Sequence, residues 1–213
     1  MTEYLSKNDT RIRTFVAVAL PDAERSAIAK LESRFERQRS ILKVVAPDLL
    51  HITIRFLGNI DGARLPDVMA AVRQAAGETK PFSLALAGIG AFPNARSPRV
   101  IWIGLEDNAG LAELRHLASR TEQLLEEHGF AKEERSFRAH ITLARVREDA
   151  PREARRDLGT IVSEMQSLRI APGSFPVGSL IVMRSDLSRT GPRYIPMEIA
   201  HFQGRSEPRV ESS

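Results

Sequence analysis

Two copies of one short phrase carry the residues best suited to chemistry. His51-Ile52-Thr53 and His140-Ile141-Thr142 each place an imidazole two residues before a hydroxyl. Both copies lie in runs of β-branched residues and leucine, which are typical of buried strands. Side chains two residues apart in a strand point to the same face, so each copy presents a ring beside a hydroxyl. The pattern therefore predicts acid/base chemistry on an oxyanion such as phosphate.

The repetition strengthens this interpretation. The chain has five histidines, so chance alone would give only about 0.2 matches to His-x-Thr. A single copy would more often be an ordinary structural histidine in a strand. Two copies in the same strand context favour one shared site.

The hydrophobic pattern predicts an α/β chain with two similar halves. A helix precedes each His-Ile-Thr strand, and a helix followed by two strands comes after it, which indicates a weak internal duplication. Two like halves can place equivalent strands around a pseudo-two-fold axis, so the two motifs would face each other across a cleft. Helices are predicted over 22–38, 66–77, 108–128 and from 151, and strands over 13–20, 41–45, 50–58, 82–86, 100–105, 136–146, 167–171, 179–184 and 193–201, with a hairpin-type connection over 88–98.

Composition narrows the class of protein. The 213 residues are 42% hydrophobic, which suits one domain or two joined lobes. We predict a flexible tail over 1–10, one domain over 11–203 and a second tail over 204–213. The chain has no cysteine, which excludes disulfides and thiolate chemistry and fits a reducing compartment. With no apolar signal-like segment near the start and no stretch of membrane-spanning length, we expect a cytoplasmic protein without membrane association.

The net charge and the composition of the motifs indicate which classes of ligand the protein could bind. The formal net charge is +4 and the sequence pI about 9.8, which is compatible with an anionic substrate or nucleic acid. Each motif pairs histidine with threonine, and neither has a second histidine or a carboxylate two or four residues on, so no metal site is predicted. The sequence also lacks a glycine-rich phosphate loop.

These motifs and their surroundings resemble the 2H phosphoesterase superfamily, which is named for two His-x-Ser/Thr motifs. The chain is most similar to the LigT-like RNA 2′,3′-cyclic phosphodiesterases, also called 2′-5′ RNA ligases. One departure is Ala139, where relatives often have proline before the second histidine. The resemblance rests on 13–21, 50–58, 90–93 with 98–102, 137–145, and 191–194.

The resemblance implies a fold and an activity. The expected fold is α+β and bilobed, with two pseudo-symmetric lobes of mostly antiparallel sheet and outer helices around a central cleft. The expected reaction is hydrolysis of RNA 2′,3′-cyclic phosphate ends to 2′-phosphate ends, without a metal or other cofactor. Expected partners are RNA ends or nucleotides with a 2′,3′-cyclic phosphate, tRNA fragments among them. Because one chain would complete the cleft, we expect a monomer.

Roles in acid/base catalysis and phosphate binding can be assigned to the residues of the two motifs. By resemblance, His51 is the proton donor to the leaving 3′ oxygen and His140 is the proton acceptor from water. Thr53 and Thr142 are expected to donate hydrogen bonds to phosphate oxygens. The family often has a basic residue near the phosphate at Arg145. That residue lies five positions after His140, so a regular strand would turn it to the other face unless a bulge or a late twist of the strand brings it round.

Residues near the two motifs are expected to have structural rather than catalytic roles. Arg55 has the same strand parity as His51 and Thr53, and we expect it at the mouth of the cleft without a catalytic role. Phe15 could stack on a base, although burial in the core is the preferred interpretation. Phe56 and Trp102 are also assigned to packing.

Two other functions stay open from the residues alone. One is reversible 2′-5′ RNA ligation at the same site, which microscopic reversibility permits. The other is a nucleotide- or RNA-binding module without turnover, although a paired acid and base is more than binding needs.

Overall fold

A computed structural model describes residues 11–168, 170, 173–188 and 191–203. Both predicted tails, 1–10 and 204–213, lie outside the described residues. The helices are α1 (Asp22–Ala29), α2 (Leu65–Gly77), α3 (Ala109–Glu127) and α4 (Arg152–Glu164), with 3₁₀ helices at Lys30–Ile41, Pro47–Leu49 and Gly62–Arg64. The strands are β1 (Arg11–Ala19), β2 (Leu42–Val44), β3 (His51–Asp61), β4 (Phe82–Leu84), β5 (Leu86–Phe92), β6 (Val100–Leu105), β7 (Ile141–Val146), β8 (Phe175–Val177), β9 (Ser179–Ser188) and β10 (Gly191–His201).

Most strands form one antiparallel sheet. Its order is β10-β9-β1-β3-β7-β6-β5, and β2 pairs with β7 beside this path. A small second sheet joins β4 to β8. The predicted α+β class and bilobed layout are confirmed: β10, β9, β1 and β3 form one half, and β7, β6, β5 and β2 form the other.

The two halves meet at a very short seam. β3 and β7 are paired through one residue pair, Ile52 opposite Ile141. Both isoleucine side chains are completely buried. Because the strands are antiparallel and overlap only at their first residues, each strand runs away from the seam along its own half. The seam therefore lies in the middle of both motifs.

Helix α3 supports the sheet behind this seam. Its buried residues include Leu114, Leu117, Leu124 and Leu125, which recur at the spacing of one helical face. Asn108 begins the helix, because its side-chain oxygen accepts a hydrogen bond of 3.2 Å from the backbone N–H of Leu111. The sequence pattern predicted this helix closely.

Glycines explain one wrong prediction. The connection expected over 88–98 is a strand as far as Phe92, since β5 runs from Leu86. A Cβ atom on Gly90 would lie 2.2 Å from the Trp102 ring, and one on Gly88 would lie 1.6 Å from the carbonyl oxygen of Gln166. These glycines permit close packing within a strand, whereas the sequence pattern was interpreted as a turn.

Other boundaries also differ. The strand predicted over 167–171 is wrong for its described residues: the N–H of Leu168 donates to the carbonyl of Met165, which closes the turn after α4. β7 begins only at Ile141, and β3 continues to Asp61. The helix predicted over 22–38 is α-helical to Ala29 and continues as a 3₁₀ helix, in which Leu31 and Phe35 are still buried.

Candidate active site

The seam brings the four motif side chains together. Pairing of Ile52 with Ile141 in antiparallel register places His51 beside Thr142 and His140 beside Thr53. All four are partly exposed, whereas both isoleucines point into the core. Thr53 and His140 line the same cavity. One face of the sheet therefore presents two imidazoles and two hydroxyls around a common centre, as the sequence predicted.

A bulge brings a cation to the same face. Trp102 pairs with Thr142 and Ile101 with Ala144, so the register skips Leu143. Val100 then pairs with Arg145, and because Val100 and Trp102 are two residues apart, Arg145 shares the face of Thr142. The structure thus contains the bulge that the interpretation of Arg145 required.

A matching bulge in β3 exchanges two other residues. Ala17 pairs with Thr53 and Val16 with Arg55, so the register skips Ile54. Phe56, paired with Phe15, therefore shares the face of Thr53, while Arg55 turns toward α3. There Arg55 forms ion pairs with Glu122 at 2.6 Å and Glu133 at 3.3 Å.

This exchange corrects one assignment. Phe56 was predicted to be a packing residue, but 39% of it is exposed, and the guanidinium of Arg13 lies 4.5 Å from its ring centroid. The parity of a regular strand would have buried it, and the skipped residue turned it outward.

Both histidine rings are fixed by equivalent hydrogen bonds. Nδ1 of His51 lies 2.8 Å from the carbonyl oxygen of Leu49, and Nδ1 of His140 lies 2.7 Å from that of Arg138. A carbonyl oxygen only accepts, so in each ring Nδ1 carries the proton and donates. In a neutral ring Nε2 is then the basic nitrogen. Nε2 of His51 lies 3.0 Å from the hydroxyl oxygen of Thr53, which donates to it.

The two rings have different surroundings. His51 is packed by Phe15, with ring centroids 4.9 Å apart, and by Tyr194, with ring centroids 5.3 Å apart. Burial lowers the pKa of His51, the hydrogen bond to Leu49 opposes this change, and the charge of nearby His140 lowers the pKa further. His140 instead meets the edge of Phe92, at a centroid distance of 5.1 Å.

We expect His51 to titrate below the ordinary histidine pKa of about 6.5, measured from its ring resonances by NMR. The folded state favours the neutral ring, so the stabilisation is fully present above the unfolded-chain pKa. It is lost as the pH falls through the lowered pKa. In His51→Gln the free energy of unfolding, measured by denaturant titration, should decrease less between pH 7.5 and pH 5. A His51 pKa at or above about 6.5 would contradict this account of its environment.

Sequence reasoning did not give Tyr194 a role. Its ring lies 4.9 Å from that of Phe15 and borders His51. Burial raises the pKa of Tyr194, and the charges of Arg145 and Arg13 oppose this change. The phenol is thus protonated at neutral pH and lies within the field of two cations. The sequence feature that could have indicated Tyr194 is the segment 191–194, on which part of the resemblance rests.

A cavity opens from the site on the β3 side. It has a volume of about 480 Å³ and is lined by Thr53, Phe56 and His140 together with residues of α3 and of the segment 132–138. Within the described part of the chain, no three His, Cys, Asp or Glu side chains cluster as metal ligands would. None of the described helices has the length and apolar character needed to cross a bilayer.

Comparisons with known proteins agree with this geometry. The family described as LigT like Phosphoesterase matches residues 18–102 and 104–194. An RNA 2′,3′-cyclic phosphodiesterase of Methanothermobacter thermautotrophicus is 30% identical over 189 residues, covering 89% of this chain and 98% of the relative. A protein of the same name from Thermus thermophilus is 32% identical over 200 residues, covering 91% of each chain.

Solved structures give the same result. The crystal structure of a Thermus thermophilus protein matches with a TM-score of 0.72 and 32% identity, covering 91% of this chain and 99% of that one. Escherichia coli LigT complexed with 3′-AMP matches with a TM-score of 0.67 and 25% identity, covering 90% of this chain and 98% of that one. The family matches this chain along most of the chain's length, and the two motifs of the chain meet at one seam. The chain therefore belongs to the LigT-like phosphoesterases.

Proposed function

We propose that this protein hydrolyses 2′,3′-cyclic phosphate ends of RNA to 2′-phosphate ends, without a metal. The observation that carries the proposal is the pair of His-x-Thr motifs on one face of the seam, each with Nδ1 bound to a backbone carbonyl. Relatives at about 30% identity that carry the name RNA 2′,3′-cyclic phosphodiesterase support the substrate class.

The reaction needs one base and one acid. In the proposed direction, Nε2 of His140 accepts a proton from water while the water oxygen forms a bond to phosphorus. The bond between phosphorus and the 3′ oxygen breaks, and that oxygen takes a proton from Nε2 of His51. The product keeps the phosphate on the 2′ oxygen and has a free 3′ hydroxyl. His140 ends protonated and His51 neutral, so a proton exchange with solvent restores the starting state.

The lowered pKa of His51 adds a condition to this assignment. In the free protein burial favours the neutral ring, whereas the proposed acid must be protonated. A bound cyclic phosphate is an anion and would favour the imidazolium by opposite charge. Substrate binding would therefore raise the pKa of His51 and be accompanied by proton uptake.

The phosphate itself would be held by the remaining residues of this face. Thr53 and Thr142 flank the centre from the two halves, and their hydroxyls would donate to the non-bridging oxygens. Arg145 adds a positive charge on the side of Thr142, where the skipped Leu143 has turned it. These groups would stabilise the negative charge on the non-bridging phosphate oxygens in the transition state.

The test is turnover of an RNA oligonucleotide ending in a 2′,3′-cyclic phosphate, with excess EDTA present. We expect a mass gain of one water, and mapping of the product should place the phosphate on the 2′ oxygen. Loss of activity in EDTA would overturn the metal-independent mechanism. Binding of the RNA end with no turnover in either condition would instead indicate a binding module.

The cellular setting is part of the proposal. We propose that a monomer is active, because one chain supplies both motifs and the seam between them. RNA ends, tRNA fragments among them, would be its substrates in the cytoplasm, where a chain without cysteine loses no disulfides to a reducing environment.

A further inference from the structure

The near-symmetry of the two halves is broken beside the two motif strands. Beside β7, β2 fills the position next to the bulge: Val44 pairs with Ala144 and Lys43 with Arg145. The irregular segment 131–140 lies beside β3, where Arg55 donates to the carbonyl of Ala131 and pairs with Glu133. The cavity of about 480 Å³ lies there, and it starts at Thr53 and His140. We call this cavity the β3 groove. Its volume lies within the range of about 300–1,000 Å³ that is usual for ligand sites.

The walls of the β3 groove carry cations without carboxylate partners. Among its described lining residues, Arg55, Arg115 and Lys132 form ion pairs with carboxylates. Within the described part of the chain, neither Arg135 nor Arg138 forms an ion pair with a carboxylate, and both residues are exposed. Uncompensated guanidinium groups beside a phosphate-processing centre favour a polyanionic ligand.

The groove also contains an aromatic platform. Phe56 lines it and 39% of the residue is exposed, while the guanidinium of Arg13 lies 4.5 Å from the ring centroid and occupies one face of the ring. A large exposed aromatic ring is a usual stacking surface for bases of single-stranded nucleic acid. Because the skipped Ile54 places Phe56 on the face of Thr53, the platform and the reaction centre are adjacent.

From these three observations we propose that the β3 groove binds the RNA strand leading to the cyclic phosphate, with the base of the nucleotide before the end stacked on Phe56 and its phosphodiester near Arg135 and Arg138. This inference rests on the proposed function. It assigns the preferred substrate class as single-stranded RNA of two or more nucleotides, in place of a mononucleoside cyclic phosphate.

The test compares kcat/KM for 2′,3′-cyclic AMP and for a hexanucleotide ending in the same cyclic nucleotide. The wild type should prefer the hexanucleotide. Phe56→Leu should lower the ratio of the two values at least about fivefold, the lower end for the loss of one base–aromatic stack, whereas Phe56→Tyr should retain it. Arg135→Gln should lower the ratio and reduce the logarithmic salt dependence of hexanucleotide binding by about 0.7.

A matched control is Arg152→Gln, which removes an exposed arginine at the start of α4 outside the groove. Its ratio and salt dependence should equal those of the wild type, and thermal melts verify that every variant is folded. Equal ratios in Phe56→Leu, Arg135→Gln and the wild type would overturn the groove while leaving the phosphodiesterase intact. No turnover of either substrate by the wild type would overturn both proposals.

Discussion

Replacement of either His51 or His140 by alanine should lower kcat/KM for an RNA 2′,3′-cyclic phosphate by about 10²- to 10⁴-fold, the usual contribution of a positioned acid or base. Both rings are fixed through Nδ1 to a carbonyl, and neither alanine variant retains a group that could exchange a proton at that position. The measurement is single-turnover hydrolysis of an end-labelled oligonucleotide.

His116→Ala is the matched control for these variants, because His116 is exposed on α3 and does not line the β3 groove. It should retain wild-type kcat/KM. Nucleotide binding by the two active-site variants should be largely preserved, since the hydroxyls and Arg145 remain. Wild-type turnover by both alanine variants would show that the assigned site is wrong.

Thr142→Val should lower kcat by roughly 10²- to 10³-fold, as expected when one donor to the transition-state oxygens is removed. Valine keeps the shape and branching of threonine but has no hydroxyl, so the strand and the bulge beyond it should be retained. Thr142→Ser should recover most of the activity. A small change in kcat for the valine variant would mean that the hydroxyl does not contact the reacting phosphate.

The same substitution at Thr53 has a second consequence. The Thr53 hydroxyl also donates to Nε2 of His51 at 3.0 Å. Thr53→Val therefore removes a partner of the His51 ring as well as a hydroxyl that faces the phosphate, and it should shift the His51 ring resonances, whereas Thr142→Val should lower kcat and leave those resonances unchanged. Histidine NMR titrations of the two variants separate these effects.

Periodicity predicted the parts of the fold that depend on one element at a time. The leucine pattern of α3 and the existence of the two His-Ile-Thr strands were correct because each is encoded within a short window. The resemblance then supplied the arrangement of the two halves. The seam at Ile52 and Ile141 follows from long-range pairing, which no local pattern encodes.

The errors share a physical origin in contacts between distant parts of the chain. A regular strand would place Arg55 on the face of Thr53 and Phe56 on the opposite face. Because the pairing with β1 skips Ile54, the two side chains lie on the reverse faces. The glycines of β5 were interpreted as turn residues, although they accommodate the Trp102 ring and the backbone at Gln166. In both cases the decisive contact is with a distant part of the chain.

The central claim is that the two imidazoles act on one phosphate in one transition state, and a double-mutant cycle tests it most directly. We would measure kcat/KM for the wild type, His51→Ala, His140→Ala and the double variant on the same cyclic phosphate RNA. The double variant should lose no more than about tenfold beyond the slower single variant, since residues that act as a unit are strongly non-additive. A loss equal to the product of the two single losses would contradict the account.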